Sequence, residues 1–366
     1  EMLQIAIEEW AGASPLYTKR MQKALNYEGV DVVTIFKGLQ LDIGAPPQFM
    51  DFRYTVHDRW HGEFHLDHCG ALLDVEPMGE DYVRGMCHDI EDPTFDATAL
   101  ATNRRCQVRP IHRPPRTPSD RHPHCAWTVI IDDSHPEVDF IPQLDIVAAT
   151  NAHNTVLEPI DRDDDGLADY AGPLLSDVDF GAFSHSALVR IADEVCLQMH
   201  LLVLSFNLAV RARANGDSAL EESIRYKALT GIAGVAADRI RAALGIPADA
   251  KGALRVLELH PLLNPAVYVF ADIDPEYVHV RRSPAHDDGA WISLVSPAAD
   301  RPVQAMVQAV DPHLRAELSG TEFDWTVGVV TTDTAAEEFS EVSVCKVSGG
   351  ASWVFEDRKS LPLTVV

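Results

Sequence analysis

The sequence predicts an α+β fold, with mixed helices and antiparallel sheets in two subdomains. Three observations point there. The stretch FRYTVHDRWHGEFHLDHC (52–69) alternates apolar and polar residues, as a pair of strands does. Two long apolar-periodic segments, 184–214 and 217–244, meet at Asn215-Gly216-Asp217 and read as consecutive helices. The last hundred residues break into short strand-like runs without the regular strand–helix alternation of a parallel sheet.

Taken in order, Ser14-Pro15 has the form of a helix cap and first turn, so a helix is expected from there to about Tyr27, ending before Gly29. A turn near Asp58-Arg59 divides 52–69 into two strands. On the second, alternation puts His65, Asp67 and Cys69 on one face and Phe64, Leu66 and His68 on the other. Residues 79–90 are expected to be helical, and Asp92-Pro93 to start a further helix ending near Asn103. RCQVRPI (105–111) and HCAWTVIID (124–132) read as strands joined by a proline-rich loop, the second with Cys125, Trp127, Val129 and Ile131 on its apolar side. Near the C-terminus, strands are expected over 276–283, 290–296, 323–333, 341–349 and 352–357, with a helix near 303–317. This gives a His/Cys/Arg-rich domain over 1–150, an acidic connecting loop over 151–182, and a helical pair followed by an α+β subdomain over 183–366.

Composition narrows the class of partner. A formal charge of −26 over 366 residues argues against nucleic acid or an anionic membrane, because a basic surface supplies most of the affinity for either. The longest apolar run, 196–210, carries His200 and Asn207 and reads as a buried helix rather than a membrane span. The chain opens Glu1-Met2-Leu3-Gln4, with no basic stretch followed by an apolar one, so no secretory signal is expected. Six cysteines in such a chain suggest a reducing cytoplasmic setting with thiols that are free or metal-bound. The oligomeric state is open, and a homodimer is compatible with everything above.

The soft ligands and nucleophiles are crowded. Ten of the 16 histidines and four of the six cysteines lie between residues 57 and 153. One reading makes Cys87 a nucleophile activated by an imidazole, with Asp89 as orienter. His88 is its neighbour in sequence, but adjacent helical residues do not face each other, so His65, His68 or His124 are better partners. A second reading gathers Cys69, Cys87, His124 and Cys125 around zinc or iron, although their spacing fits no familiar template. A third leaves them as core and surface groups. Residues 104–121 add six of the 30 basic residues, among them Arg105, Arg109 and Arg113, a candidate clamp for a carboxylate or phosphate. DRDDDGLAD places Asp161, Asp163, Asp165 and Asp169 as in a calcium loop, but Gly172 stands where the loop needs Glu, so an acidic turn is the favoured reading and calcium the lesser one.

The order of these features resembles the L-2-amino-thiazoline-4-carboxylic acid hydrolase-like family over about residues 45–131. FHLDHCGAL supplies a first cysteine as Cys69, VRGMCHD a second with its aspartate (Cys87 and Asp89), CQVRPIHRPP an arginine strand, and PHCAWTV a last cysteine, Cys125. Asp89 follows Cys87 by two residues where the family pattern has three, and Ala126-Trp127 replaces an acid and an aromatic. The resemblance implies hydrolysis of a C–N or C–S bond in a small, carboxylate-bearing heterocycle, with Arg109 as the anion contact. The alternatives are a metal-dependent enzyme and a protein that senses a metal or small ligand without turnover.

Overall fold

The computed structural model describes residues 1–346 and 358–366. It is an α+β protein with two antiparallel four-stranded sheets. The chain forms two compact units, which divide elsewhere than the sequence suggests. Among the described residues, the first holds 1–148, 157–205 and 358–366, and the second holds 149–156 and 206–346. The acidic segment after 156 therefore belongs to the first unit and does not bridge two domains. Tyr170 and Phe183 pack there with Met21 and Leu25, and Leu174 joins the main core.

In the first unit α1 (Met2–Ala24) starts twelve residues before the expected cap and carries Pro15 in its interior. Burial of Ala13, Tyr17 and Met21 outweighs the loss of the single hydrogen bond that proline cannot donate. A second helix, α2 (Val32–Gln40), was not anticipated; Asp31 caps it by accepting from the Thr34 N–H. The sheet runs in the order β1 (Met50–Val56), β2 (His61–Cys69), β4 (Cys125–Ile131) and β3 (Cys106–His112). Gly62 on β2 lets the Phe36 ring lie against the strand, since a Cβ there would sit 2.7 Å from that ring.

Two departures from the expected elements decide which side chains reach the core. Between β1 and β2 the register slips, Phe52 pairing with Leu66 but Met50 with Cys69, so β2 carries one extra residue. This bulge reverses the alternation. Cys69 turns inward with Phe64 and Leu66, while His65 and Asp67 stay on the outer face, 3.3 Å apart. The shared face expected for His65, Asp67 and Cys69 is thereby broken.

The second departure lies beyond α3 (Gly70–Val75). There α4 (Glu80–Arg84), a π-helical turn (Gly85–Ile90) and α5 (Glu91–Leu100) succeed one another without interruption. Asp92 is no helix cap; it lies in the first turn of α5 with Pro93. The short helix α6 (Pro142–Ala148) packs on α1.

The second unit contains α7 (Asn151–Asn154), the end of α8 (His185–Ala214), α9 (Ser218–Leu244), α10 (Ala250–Leu259), α11 (Pro284–Asp287), α12 (Arg301–Val310) and α13 (Ser340–Cys345). Its sheet has the order β5 (Ala271–Ile273), β6 (Tyr277–Arg281), β8 (Asp324–Thr331) and β7 (Leu314–Gly320). The strands expected over 276–283 and 323–333 are present. The helix expected to run to 317 stops at Val310, because Asp311 precedes proline and is steered out of the helical region, and β7 comes next. Trp291 and Ile292 are both buried, incompatible with strand alternation, and form a 3-10 turn. Residues 341–345, expected as strand, belong to α13, and the strand expected over 352–357 lies outside the described residues. Among the described residues one helix, α8, is long and apolar enough to cross a membrane by length and composition, and 61% of its most apolar 18-residue window is buried in the fold.

The first unit's core centres on Trp127, fully buried with its ring 5.0 Å from Phe95 and 6.2 Å from Phe64. Trp127→Ala is expected to destabilise the protein by about 3–5 kcal/mol, read as a fall in the urea midpoint. A change below about 1 kcal/mol would mean that this core is not what holds the sheet.

Candidate functional site

The cysteines converge as expected, but inside the core. Cys69 closes β2 and caps α3, its Sγ accepting from the Leu72 N–H at 3.4 Å. Cys87 sits on the π turn, Cys106 opens β3 and Cys125 opens β4. All four belong to one buried apolar cluster. Burial is the main influence on the Cys87 thiol and pushes its pKa well above the usual thiol value; the Glu91 carboxylate, then Cys69 and Cys125, push the same way. Burial likewise raises Cys69 and Cys125, and lifts Cys106 to about 12. With pKa values raised this way the thiols are held in the neutral form, which disfavours an activated nucleophile, since the attacking species is the thiolate.

The proposed helpers are dispersed. Asp89 is exposed. His88 Nε2 donates to the Pro114 carbonyl at 2.6 Å. His65 is on the outer face of the sheet with Asp67. His68 and His124 do meet, ring centroids 6.4 Å apart, at the end of β2 and β4. Burial, then Arg116 and His122, lower the His124 pKa to about 4, so that ring is neutral. Among the described residues, Cys69, Cys87, His124 and Cys125 do not gather their ligand atoms within 4.8 Å of one another.

The arginines are engaged with neighbouring acids. Arg105 holds Glu137, Arg109 forms a close pair with Asp96, Arg113 with Asp92, and Arg116 takes Glu76 through two nitrogens. The aspartates of 161–169 do not assemble a cation site either. Asp161 accepts from the Asp163 N–H, Asp169 accepts from the Ala171 N–H and faces Arg162, and Asp164 accepts from the Ser186 N–H. The segment is an acidic turn tied to the start of α8. Gly166 takes φ 115° there, where a Cβ would strike the Ser184 backbone at 2.6 Å.

What sequence reasoning missed is a cavity of about 290 Å³, lined by Ala6 and Trp10 of α1, the 42–52 segment, Ala71 and Asp74 after β2, and Met86, Ile90, Glu91, Thr94 and Phe95 of the π turn and α5. Glu91 is only 6% exposed, and its Oε2 is buried without a hydrogen-bond partner. Burial, reinforced by Asp92 and opposed by Arg113, raises its pKa to about 8. Asp42 lines the same cavity. Burial raises its pKa to about 6, held from rising further by the Gly44 N–H at 2.8 Å and the Tyr17 hydroxyl at 2.9 Å. A larger cavity of about 490 Å³ shares Asp42, Ala45, Met50 and Phe52 as wall. Of its charged groups, Asp51 and Asp177 are both bound to Arg358 and to Arg53, and Asp179 accepts from the Gly181 N–H. Nothing in EDPTF distinguishes a buried glutamate from a solvated one, and that is why Glu91 could not be found from sequence.

No family model matches the chain, and neither a curated protein nor a solved structure matches it.

The thiol environments carry a direct expectation. Iodoacetamide at pH 7.5 should modify exposed Cys345 first, with Cys69, Cys87, Cys106 and Cys125 protected until denaturant is added. Modification of Cys87 ahead of Cys345 in the folded protein, read by peptide mass mapping, would restore the activated-thiol reading.

Proposed function

We propose that the protein is a hydrolase-like enzyme that cleaves a C–N or C–S bond in a small molecule bound in the Glu91 cavity, by general acid–base catalysis between two carboxyl groups. The single observation that carries this reading is Glu91: a protonatable carboxyl whose Oε2 is buried without a hydrogen-bond partner on the wall of an apolar cavity. Apolar pockets with few polar groups and displaced pKa values are the usual setting for such chemistry. Two carboxyls whose environments separate their pKa values divide the roles. Asp42, ionised above about pH 6 and held by Tyr17 and Gly44, removes a proton from an attacking water. Glu91, protonated below about pH 8, gives its proton to the departing nitrogen or sulfur. The bond class is that implied by the resemblance to the thiazoline hydrolases, while the residues carrying the chemistry differ from the thiol first expected.

The cavity also bears on the substrate. Trp10, Phe49, Phe52 and Phe95 offer apolar faces, and Arg105, Arg109 and Arg113 are not part of the lining. A neutral or amine-bearing substrate suits this wall better than an anion.

With chromogenic anilides and thioesters of small acids as probes, turnover is expected to show a bell-shaped pH profile with limbs near 6 and 8. Glu91→Gln and Asp42→Asn should each lower kcat by about 10²–10⁴-fold. Full turnover by Glu91→Gln overturns the assignment.

A second outcome needs no substrate. Burial raises the Glu91 pKa from 4.5 to about 8, so the unfolded state releases its proton first as pH rises. Stability is therefore complete below pH 4.5, declines between 4.5 and 8, and levels off above. Glu91→Gln removes this decline and should stabilise the protein at pH 8 by about 2–4 kcal/mol while changing little at pH 4.5. Parallel urea midpoints for the two proteins across pH would show a Glu91 that is solvated and unshifted.

A further inference from the structure

At the turn between β1 and β2, His57, His61 and Glu63 bring one ligand atom each within 4.8 Å of the others, and among the described residues they are the one group of three that does so. We propose that they form a binding site for a divalent cation of the zinc class, on the opposite side of the sheet from the buried thiols.

The backbone explains the convergence. His61 and Glu63 are two apart on β2 and share its outer face. His57 lies just past the end of β1, and its N–H bonds the His61 carbonyl at 3.0 Å, which folds it back over that face. Asp58 makes the turn stiff, its Oδ1 accepting from the N–H groups of Trp60 at 2.6 Å and His61 at 3.0 Å. Outside the turn, the Arg59 carbonyl takes the Val32 N–H and the Trp60 carbonyl takes the Ile131 N–H. The site therefore stands on a turn anchored to α2 and β4, as a preformed metal site requires.

The side chains show how close that convergence is. His57 Nε2 lies 3.2 Å from Glu63 Oε1, yet it is buried and makes no hydrogen bond. The two atoms are near but do not point at each other. The edge of a tetrahedral zinc site, with bonds of about 2.0–2.1 Å, is about 3.3–3.4 Å long. Two ligand atoms holding one such ion would have that separation without hydrogen-bond alignment. The imidazole rings of His57 and His61 lie 4.6 Å apart between centroids, with their planes inclined at 41°. Two nitrogens and one carboxylate oxygen suit zinc, nickel or copper rather than calcium or magnesium. The three residues are partly exposed, so a fourth position is left to water or to a ligand.

The test titrates Zn²⁺ into the metal-free 366-residue chain at pH 7.4, in competition with a chromogenic chelator. One equivalent should bind, and the ring resonances of His57 and His61 should shift together. His61→Ala and Glu63→Gln should each weaken that equivalent by more than the about 10–100-fold typical of losing an outer hydrogen-bond partner. His122→Ala and Cys345→Ala, which remove a histidine and a thiol elsewhere, should leave it intact. Thermal melts in EDTA establish that each variant is folded. Zinc binding that survives His61→Ala and Glu63→Gln, or that falls equally with His122→Ala, overturns the site, as does no binding at 100 µM Zn²⁺. The outcome is independent of turnover at Glu91.

Discussion

The arrangement of the first unit depends on one change of helical phase. A regular α-helix repeats every 3.6 residues, and a π turn inserts one more, rotating everything after it by about 100°. The insertion shows directly in the backbone, where the Glu91 N–H reaches the Met86 carbonyl five residues back. With that turn in place, Cys87 and Glu91 both face the core and Asp89 faces solvent. Pro93 fits the same region, since it has no N–H to contribute to a ladder already displaced. The cavity, the raised acid and the buried thiols all result from where this turn points its side chains.

A buried carboxyl next to thiols fixes the protonation state of the whole cluster. Low dielectric disfavours the charged form of every member, and each added negative charge raises the others further. Glu91 is among the influences on Cys69, Cys87 and Cys125 alike. The result is a set of neutral groups, with Glu91 the first to ionise as pH rises. An arginine beside the thiols would have lowered their pKa values, but the arginines are bound to acids instead.

Much of the fold was legible because it rests on periodicity. The β1–β2 pair, β4 with Cys125, Trp127, Val129 and Ile131 inward, and the long helices α8 and α9 all arise from alternation or helical repeat. The convergence of Cys69, Cys87 and Cys125 was legible for the same reason, each being placed at the end or inner side of an element. What escaped were the irregularities. A one-residue bulge moved Cys69 to the core and separated it from His65. A π turn replaced the break expected at Asp92-Pro93. The cap read at Ser14-Pro15 was a helix interior, since the tertiary packing of α1 overrides a local stop signal. Side chains placed by such irregularities are hidden from period-based reading, and Glu91 is one of them.

Charge explains why the arginine segment behaves as it does. In a chain with 56 acidic and 30 basic residues, a run of arginines readily meets carboxylates, as Arg104, Arg105, Arg109, Arg113 and Arg116 do. Arg109 finds Asp96 on α5 across from β3, and Arg113 finds Asp92 one turn earlier on the same helix. Clamping an external anion would first require breaking these pairs, and the leaving acids would face it from a few ångströms away. The Glu91 cavity has the opposite bias, with carboxyl groups and aromatic faces and no arginine in its lining. On the proposed reading an amine entering it would gain from the ionised Asp42 and from the aromatic faces, both of which attract a cation. The segment that most suggested an anion therefore acts on the site indirectly, with Arg113 holding Asp92 and moderating the pKa of Glu91.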